Sequence, residues 1–344
     1  MVTVPLVHLV LADHDFEYIN RLAQWFMENK ADRFSVSVFT EKESFKKFVS
    51  ANGGKIDVIL ASEDFITDIP ANNGTAILLG QALRIKNLPF VEKYKPAPSI
   101  YSEILSAVSA SPAEAEKWNS GGKSDLVVCF STNMYLKSVF AILLCLTAKE
   151  HVYVSLESFP FHTMEEDTYF NKNLSDVLYY IKSRKGNPVM ALESAVITRE
   201  NLSFLPPVDN PLDLWELTND ETDTLIEALG SWGHFSRVIV DPEVNAGSLT
   251  VKLLKAASCI VVPFDKKHMH QIPRMKRMFS GILGQDLGKV KWVNCGNSGT
   301  VYPEELDNYF EITWIDESIL SLPSLSDLSL QRFQRKNLED LLSK

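Results

Sequence analysis

Residues 126–157 read Leu-Val-Val-Cys-Phe-Ser-Thr-Asn-Met-Tyr-Leu-Lys-Ser-Val-Phe-Ala-Ile-Leu-Leu-Cys-Leu-Thr-Ala-Lys-Glu-His-Val-Tyr-Val-Ser-Leu-Glu. An apolar strand over 126–130 runs into a turn that ends at Lys137-Ser138. The run 138–147 suits a buried helix, and 152–156 suits the next parallel strand. A strand, a loop, a helix and a strand in that order form the frame that holds a phosphate-binding loop. Such a loop needs glycines, because successive backbone N–H groups must turn toward phosphate oxygens. Between Phe130 and Lys137 there is no glycine. The frame is legible and the cradle is damaged.

The chain of 344 residues is long enough for two domains. Hydrophobic content of 45% with 23% charged residues describes a globular protein. A net charge of −10 argues against nucleic acid as the main partner. The basic run Lys266, Lys267, Arg274, Lys276 and Arg277 reads as a solvated helix face. Cys129, Cys145, Cys259 and Cys295 show no C-x-x-C spacing and suit reduced thiols. The apolar run 4–12 ends at Asp13 with neither a basic start nor a small-residue cleavage site, and no segment reaches the length of a bilayer span. The expected location is cytoplasmic, with no more than peripheral contact with a membrane.

Working outward toward the N-terminus, strands are expected over 6–12, 36–39, 56–61 and 76–79. Helices are expected over 16–29, 41–51 and 99–108. That alternation predicts a doubly wound, mostly parallel α/β sheet with ligands at the carboxyl ends of its strands. With Leu11-Ala12-Asp13 closing the first strand and Asp57-Val-Ile-Leu-Ala-Ser62 forming the third, residues 4–108 resemble a response-regulator receiver domain, a flavodoxin-like fold. The resemblance places an acidic pocket at Asp13 and Asp15 and the phosphoacceptor position at Ser62. Lys95-Pro96 stands for the family's Lys-Pro pair. Serine cannot form an acyl phosphate, so the pocket reads as vestigial. The bland alternative is that Asp13 and Asp15 only cap the helix beginning at Phe16.

Small and polar residues with Gly121-Gly122 make 109–125 a linker, between a receiver-like domain at 1–108 and a second domain at 126–344. The second domain continues with a helix over 173–182, short strands or an irregular link at 189–191 and 196–198, and a helix over 220–229. Further on come a strand over 237–241 ending in an acid, a helix over 248–256 and a strand over 259–263. A helix over 270–283, a strand over 290–294 and a last helix over 328–342 complete it. The opening unit, the run Leu205-Pro-Pro-Val-Asp-Asn-Pro-Leu-Asp-Leu-Trp-Glu-Leu, Val238-Ile-Val-Asp241-Pro242, Ile260-Val-Val-Pro and Trp292-Val-Asn294 come in one order. That order resembles the MinD/ParA group of P-loop ATPases. With the receiver-like half in front, the chain resembles the TadZ/CpaE proteins, which position pilus-assembly machinery at a cell pole.

This resemblance implies Lys137 on the β- and γ-phosphates, Ser138 on Mg²⁺, Asp241 at the Walker B position, Asn294 at adenine and Glu157 beside the switch. It also implies Mg-ATP as cofactor and a homodimer. Against that stand Asn133, Met134 and Leu136 at glycine positions, with Thr132 at the signature lysine. Met and Leu adopt positive φ poorly. No metal site is assigned: His268 and His270 form an H-x-H pair with no third ligand. Ser131, His151 and Asp241 are not a hydrolase triad, because no G-x-S-x-G elbow exists. The last helix, with Leu330, Phe333, Leu338, Leu341 and Leu342, is expected in the core, with a membrane-seeking tail as its alternative.

The functional expectation is a non-catalytic or weakly active scaffold for pilus or secretion assembly. Its rivals are a working ATPase that dimerises with ATP and a signalling protein with a responsive receiver domain.

Overall fold

A computed structural model describes residues 7–31, 34–70, 74–81, 88–109, 122–160, 172–184, 187–199, 201–295, 306–312, 338, 341 and 342. The chain forms two compact units, one of residues 1–122 with 183–194 and one of residues 123–182 with 195–344.

The first unit is a five-stranded sheet. Its strands are β1 (Val7–Ala12), β2 (Phe34–Phe39), β3 (Val58–Ala61), β4 (Thr75–Gly80) and β5 (Phe90–Glu92), and its helices are α1 (Phe16–Asn29), α2 (Lys42–Asn52), α3 (Glu63–Ile66) and α4 (Ala97–Ser109). The order is β2-β1-β3-β4-β5, every pair parallel. Side-chain alternation along β1 decides which helices cover which face. Val7, Leu9 and Leu11 pack with α1 and α4 residues, whereas Val10 and Ala12 pack with Phe45, Val49, Phe65 and Ile66. Both faces are therefore covered, as a parallel sheet requires. Gly74 makes a close approach before β4: an added Cβ there would lie 2.4 Å from the Asp57 carbonyl oxygen. A helix from later in the chain, Pro188–Ala195, completes this unit. Met190 joins the α1–α4 core, Tyr101 donates to the buried Glu193 carboxylate at 2.9 Å, and Ser102 Oγ donates to the Ser194 carbonyl.

The second unit holds β6 (Asp125–Cys129), β7 (His151–Leu156), β8 (Ile197–Arg199), β9 (Leu202–Leu205), β10 (Arg237–Pro242), β11 (Cys259–Phe264), β12 (Val290–Asn294) and β13 (Tyr309–Glu311). Their order is β13-β12-β11-β6-β10-β7-β9-β8, parallel except for the β8–β9 pair. Helices α5 (Met134–Cys145) and α6 (Leu174–Ser183) come first, then α7, the Pro188–Ala195 helix of the first unit. After it come α8 (Leu212–Trp215), α9 (Asn219–Gly230), α10 (Ser248–Ala256) and α11 (Ile272–Leu283). From Leu136 to Cys145 every residue of α5 is buried, so this helix is core on all sides. Leu338 and Leu341 are buried in the same cluster, which answers the core-or-membrane question for the described part of the last helix; the rest lies outside the described residues. Lys291 donates to the Leu341 carbonyl at 2.6 Å and Arg237 to that of Leu342 at 3.1 Å.

Three expectations need correction. Residues 189–191 are helical, because Asn187 caps the turn, accepting from the Val189 N–H at 2.8 Å, and Pro188 suits a helix's first position. The helix after β6 begins at Met134 and not at Ser138, since Asn133 caps it one turn earlier. Strands β5 and β13 were not foreseen; each is three residues on a sheet edge, too short for a periodic signal. Of the basic run, Arg274, Lys276 and Arg277 lie on the solvent side of α11, whose inward face is Ile272, Met275, Phe279 and Leu283, whereas Lys266 and Lys267 are exposed in the turn after β11.

Candidate functional site

In the second sheet β6 lies between β11 and β10, and the chain moves to opposite sides of β6 before and after β10. In an open α/β sheet the crevice beyond the carboxyl end of such a strand is where ligands bind. Three charged residues meet there. Lys137, in the first turn of α5, points its ammonium at Glu157 just after β7 and at Asp241 near the end of β10. Nζ lies 2.8 Å from Asp241 Oδ1 and also donates to Glu157 Oε1 and to the Pro242 carbonyl. Two hydrogen bonds and one ionic contact thus set three protein oxygens around the ammonium. The side chains of Lys137 and Asp241 expose no surface.

Asp241 is held from the far side by the Tyr153 hydroxyl, which donates to Oδ2 at 2.9 Å. Burial, followed by the charge of Asp241, pushes the Tyr153 pKa well above its ordinary range, so the phenol stays a donor. Asp241 Oδ1 has the ionic contact with Lys137 but no directed hydrogen bond. Burial pulls the Lys137 pKa down, yet Asp241 and Glu157 together outweigh it and the net direction is up. For Glu157 burial wins over the pull of Lys137, with Asp241 and Glu243 adding repulsion, and the net direction is also up. Two carboxylates face one ammonium, and Glu157 takes the cost of the surplus charge.

Part of the backbone is committed too. The link from β6 to α5 is only Phe130, Ser131, Thr132 and Asn133. Phe130 N–H donates to Val261 O at 2.9 Å, Asn133 N–H to Ser131 Oγ at 3.2 Å, Leu136 N–H to Asn133 Oδ1 at 3.1 Å and Lys137 N–H to Asn133 O at 3.0 Å. Asn133 Nδ2 donates to Asp265 Oδ2 at 3.1 Å, and Asp265 Oδ1 accepts from the His268 N–H at 2.9 Å, placing a third acid against the start of α5. Among the described residues positive φ occurs at Tyr94, Arg184 and Asn308 and at two glycines, none of them in this loop. The strain expected at Met134 and Leu136 is absent because both are helical.

Of the other positions singled out, Ser138 is buried in the second turn of α5 and Asn294 is buried at the end of β12, two strands from β6. The structure gathers Lys137, Asp241 and Glu157; Tyr153 and Asp265 were missed. Asp265 had a usable signal, an acid directly after an apolar strand.

In the first unit Asp13 and Asp15 share one cation, Lys93. Its Nζ lies 3.0 Å from Asp13 Oδ1 and 3.5 Å from Asp15 Oδ2, and 5.0 Å from the ring centres of Tyr18 and Tyr94. Tyr94, at φ +72°, donates its hydroxyl to Asp15 at 3.0 Å. Asp15 also caps α1, accepting from the Tyr18 N–H at 3.1 Å, and this bond together with Tyr94 and Lys93 holds its pKa low. Burial depresses Lys93, but Asp13 and Tyr94 raise it overall. Ser62 precedes α3 without capping it by its side chain. Lys95, the expected lysine, pairs instead with Glu103 at 2.8 Å and Glu92 at 3.3 Å, because the unforeseen β5 puts Lys93 nearest the acids. Among the described residues no group of three or more His, Cys, Asp or Glu side chains is placed to hold a metal.

No family model matches the sequence, and no curated protein matches it. Several solved structures are similar in fold. A ParA family ATPase from Chlorobium tepidum is 14% identical, covering 64% of this chain and 100% of its own, with a TM-score of 0.49. A plasmid partition protein from Borrelia burgdorferi bound to AMPPNP is 12% identical, covering 64% and 99%, with a TM-score of 0.44. The septum site-determining protein MinD from Pyrococcus horikoshii with Mg-ADP is 14% identical, covering 63% and 95%, with a TM-score of 0.44. With TM-scores below 0.5, these likenesses decide neither family nor chemistry.

Proposed function

We propose that the second unit is a MinD/ParA-like domain whose nucleotide site has become a structural ion cluster, and that the chain is a TadZ/CpaE-like scaffold. The observation that carries this reading is the fully enclosed Lys137, hydrogen-bonded to Glu157 and the Pro242 carbonyl and ion-paired with Asp241. A lysine that binds phosphate must have donors to give. The N–H groups of Asn133, Leu136 and Lys137 are engaged within the chain as well, so part of a second source of phosphate affinity is also consumed. The receiver-like unit repeats the pattern with opposite sign, its acids neutralised by Lys93. On this reading the chain contributes surfaces: a homodimer in the cytoplasm, at a cell pole, engaging pilus or secretion assembly proteins. Among the described residues no helix is long and apolar enough to cross a membrane.

Titration of the full chain with Mg-ATP, followed by calorimetry and by light scattering, tests the proposal. The expected result is no heat of binding at about millimolar nucleotide, the weak end of the affinity range, and an unchanged oligomeric state. Micromolar binding, or a dimer that forms only with ATP, overturns it.

A further inference from the structure

The second unit carries an apolar groove ringed by acids that the reading above does not use. Its volume is about 310 Å³ and its apolar lining is Leu156, Leu214, Trp215, Leu217 and Leu249. Trp215 is 58% exposed and Leu212, one turn before it, 47%. Large apolar side chains left in water on one small helix mark a contact surface more often than chance. The indole is also pinned: its Nε1 donates to the buried Ser158 hydroxyl at 2.6 Å. An aromatic already fixed in place loses little entropy when a partner docks on it.

The walls of the groove are acidic. The segments that build its walls, 212–223 and 243–250, contain Asp213, Glu216, Asp220, Glu221, Asp223 and Glu243 and no lysine or arginine. Glu216, Asp220 and Asp223 are exposed. Two neighbouring lysines offset part of this: Lys252 pairs with Asp223 at 2.8 Å, and Lys182 reaches Asp213 and Glu216 only at 4.0 Å. Glu221 is occupied in the capping box with Thr218 at the start of α9. Asp220 and Glu243 have no ion pair among the described residues, and Glu216 has only the contact with Lys182 at 4.0 Å.

We propose that this groove docks a partner protein through a segment bearing an apolar side chain flanked by lysine or arginine. The apolar anchor packs on Trp215 and Leu214, and the flanking cations meet Glu216, Asp220 and Glu243. Opposite charge sets the encounter rate and the register, and the buried anchor sets the residence time. The inference stands on the groove alone and is independent of whether nucleotide binds at Lys137.

A randomised peptide library selected on the full chain tests it, with enriched peptides re-measured on Trp215→Ala and on Glu216→Lys/Asp220→Lys. Both sites are exposed, so the variants keep the fold, which circular dichroism checks. The expected result is enrichment of Leu, Ile or Phe beside Lys or Arg. Binding should weaken about 30-fold on Trp215→Ala, the size of a hot-spot loss, and should weaken as salt is raised. Enriched peptides that are acidic or uncharged overturn the proposal. So does a selection in which no peptide depends on Trp215. Self-association of the chain that Trp215→Ala abolishes and basic peptides fail to compete overturns it too, by making a second copy the occupant.

Discussion

Lys137 Nζ lies 2.8 Å from Asp241 Oδ1, and neither side chain exposes any surface to solvent. Removing the cation leaves two carboxylates without their counter-charge, Asp241 fully buried and Glu157 nearly so. Lys137→Met should therefore cost about 3–5 kcal/mol of stability, the usual consequence of breaking one side of a buried pair. Denaturant unfolding measures it. Adding Glu157→Gln and Asp241→Asn to the same chain should restore a large part of the loss, since no unpaired charge then remains. A Lys137→Met variant as stable as the parent would mean the cluster is not charged.

The same cluster predicts the direction of two pH effects. The folded-state pKa of Lys137 is raised above its ordinary 10.5, so its contribution is complete below that value and is lost as pH rises through the folded value. The folded-state pKa of Glu157 is raised above its ordinary 4.5, so the folded chain holds that proton longer. Its contribution falls as pH climbs from 4.5 through the folded value and is flat above it. Comparing stability against pH for the parent and Glu157→Gln isolates this term: the variant should lack that acidic-side decline.

In the first unit, Lys93→Met should destabilise by about 2–3 kcal/mol, because Asp13 is only 6% exposed at its side chain and loses its one strong counter-charge. Lys95→Met, whose pairs lie near the surface, should cost less than about 1 kcal/mol. Thermal melts of the two variants decide between Lys93 and Lys95 as the lysine that matters.

Gly74→Ala should cost about 1–3 kcal/mol. The new methyl would sit 2.4 Å from the Asp57 carbonyl oxygen and 2.6 Å from that of Ile56, both backbone atoms that cannot swing aside. An unchanged melting temperature would contradict the close approach of these two segments.

A truncated chain of residues 1–122 should be less stable than the same unit within the full chain, since it lacks Met190 and the Glu193 acceptor of Tyr101. Tyr101→Phe in the full chain should cost about 1.5–3 kcal/mol, the range for a hydrogen bond to a charged group. Hydrogen exchange over α4 reads both changes.

The parallel strands were legible because burial on both faces leaves near-continuous apolar runs such as 126–130 and 259–263. Lys137, Glu157 and Asp241 were assigned to one site by the order of elements that resembles the MinD/ParA group, not by any pattern in those residues themselves. What stayed hidden depended on pairing partners that a single chain does not advertise. Strands β5 and β13 exist only because β4 and β12 lend them hydrogen bonds. The helical state of 189–191 depends on the Asn187 cap, a signal that the apolar residues after it masked. The missing glycines pointed to strain at Met134 and Leu136; the chain avoids it by starting α5 a turn early.

Residues 183–194 complete the first unit, although they are written in the gene after sixty residues of the second, 123–182. A ribosome adding about 5–20 residues per second therefore delays the finishing of the earlier unit until the later one is well under way. The two cannot mature strictly one after the other, and neither can be exchanged between proteins as an intact cassette.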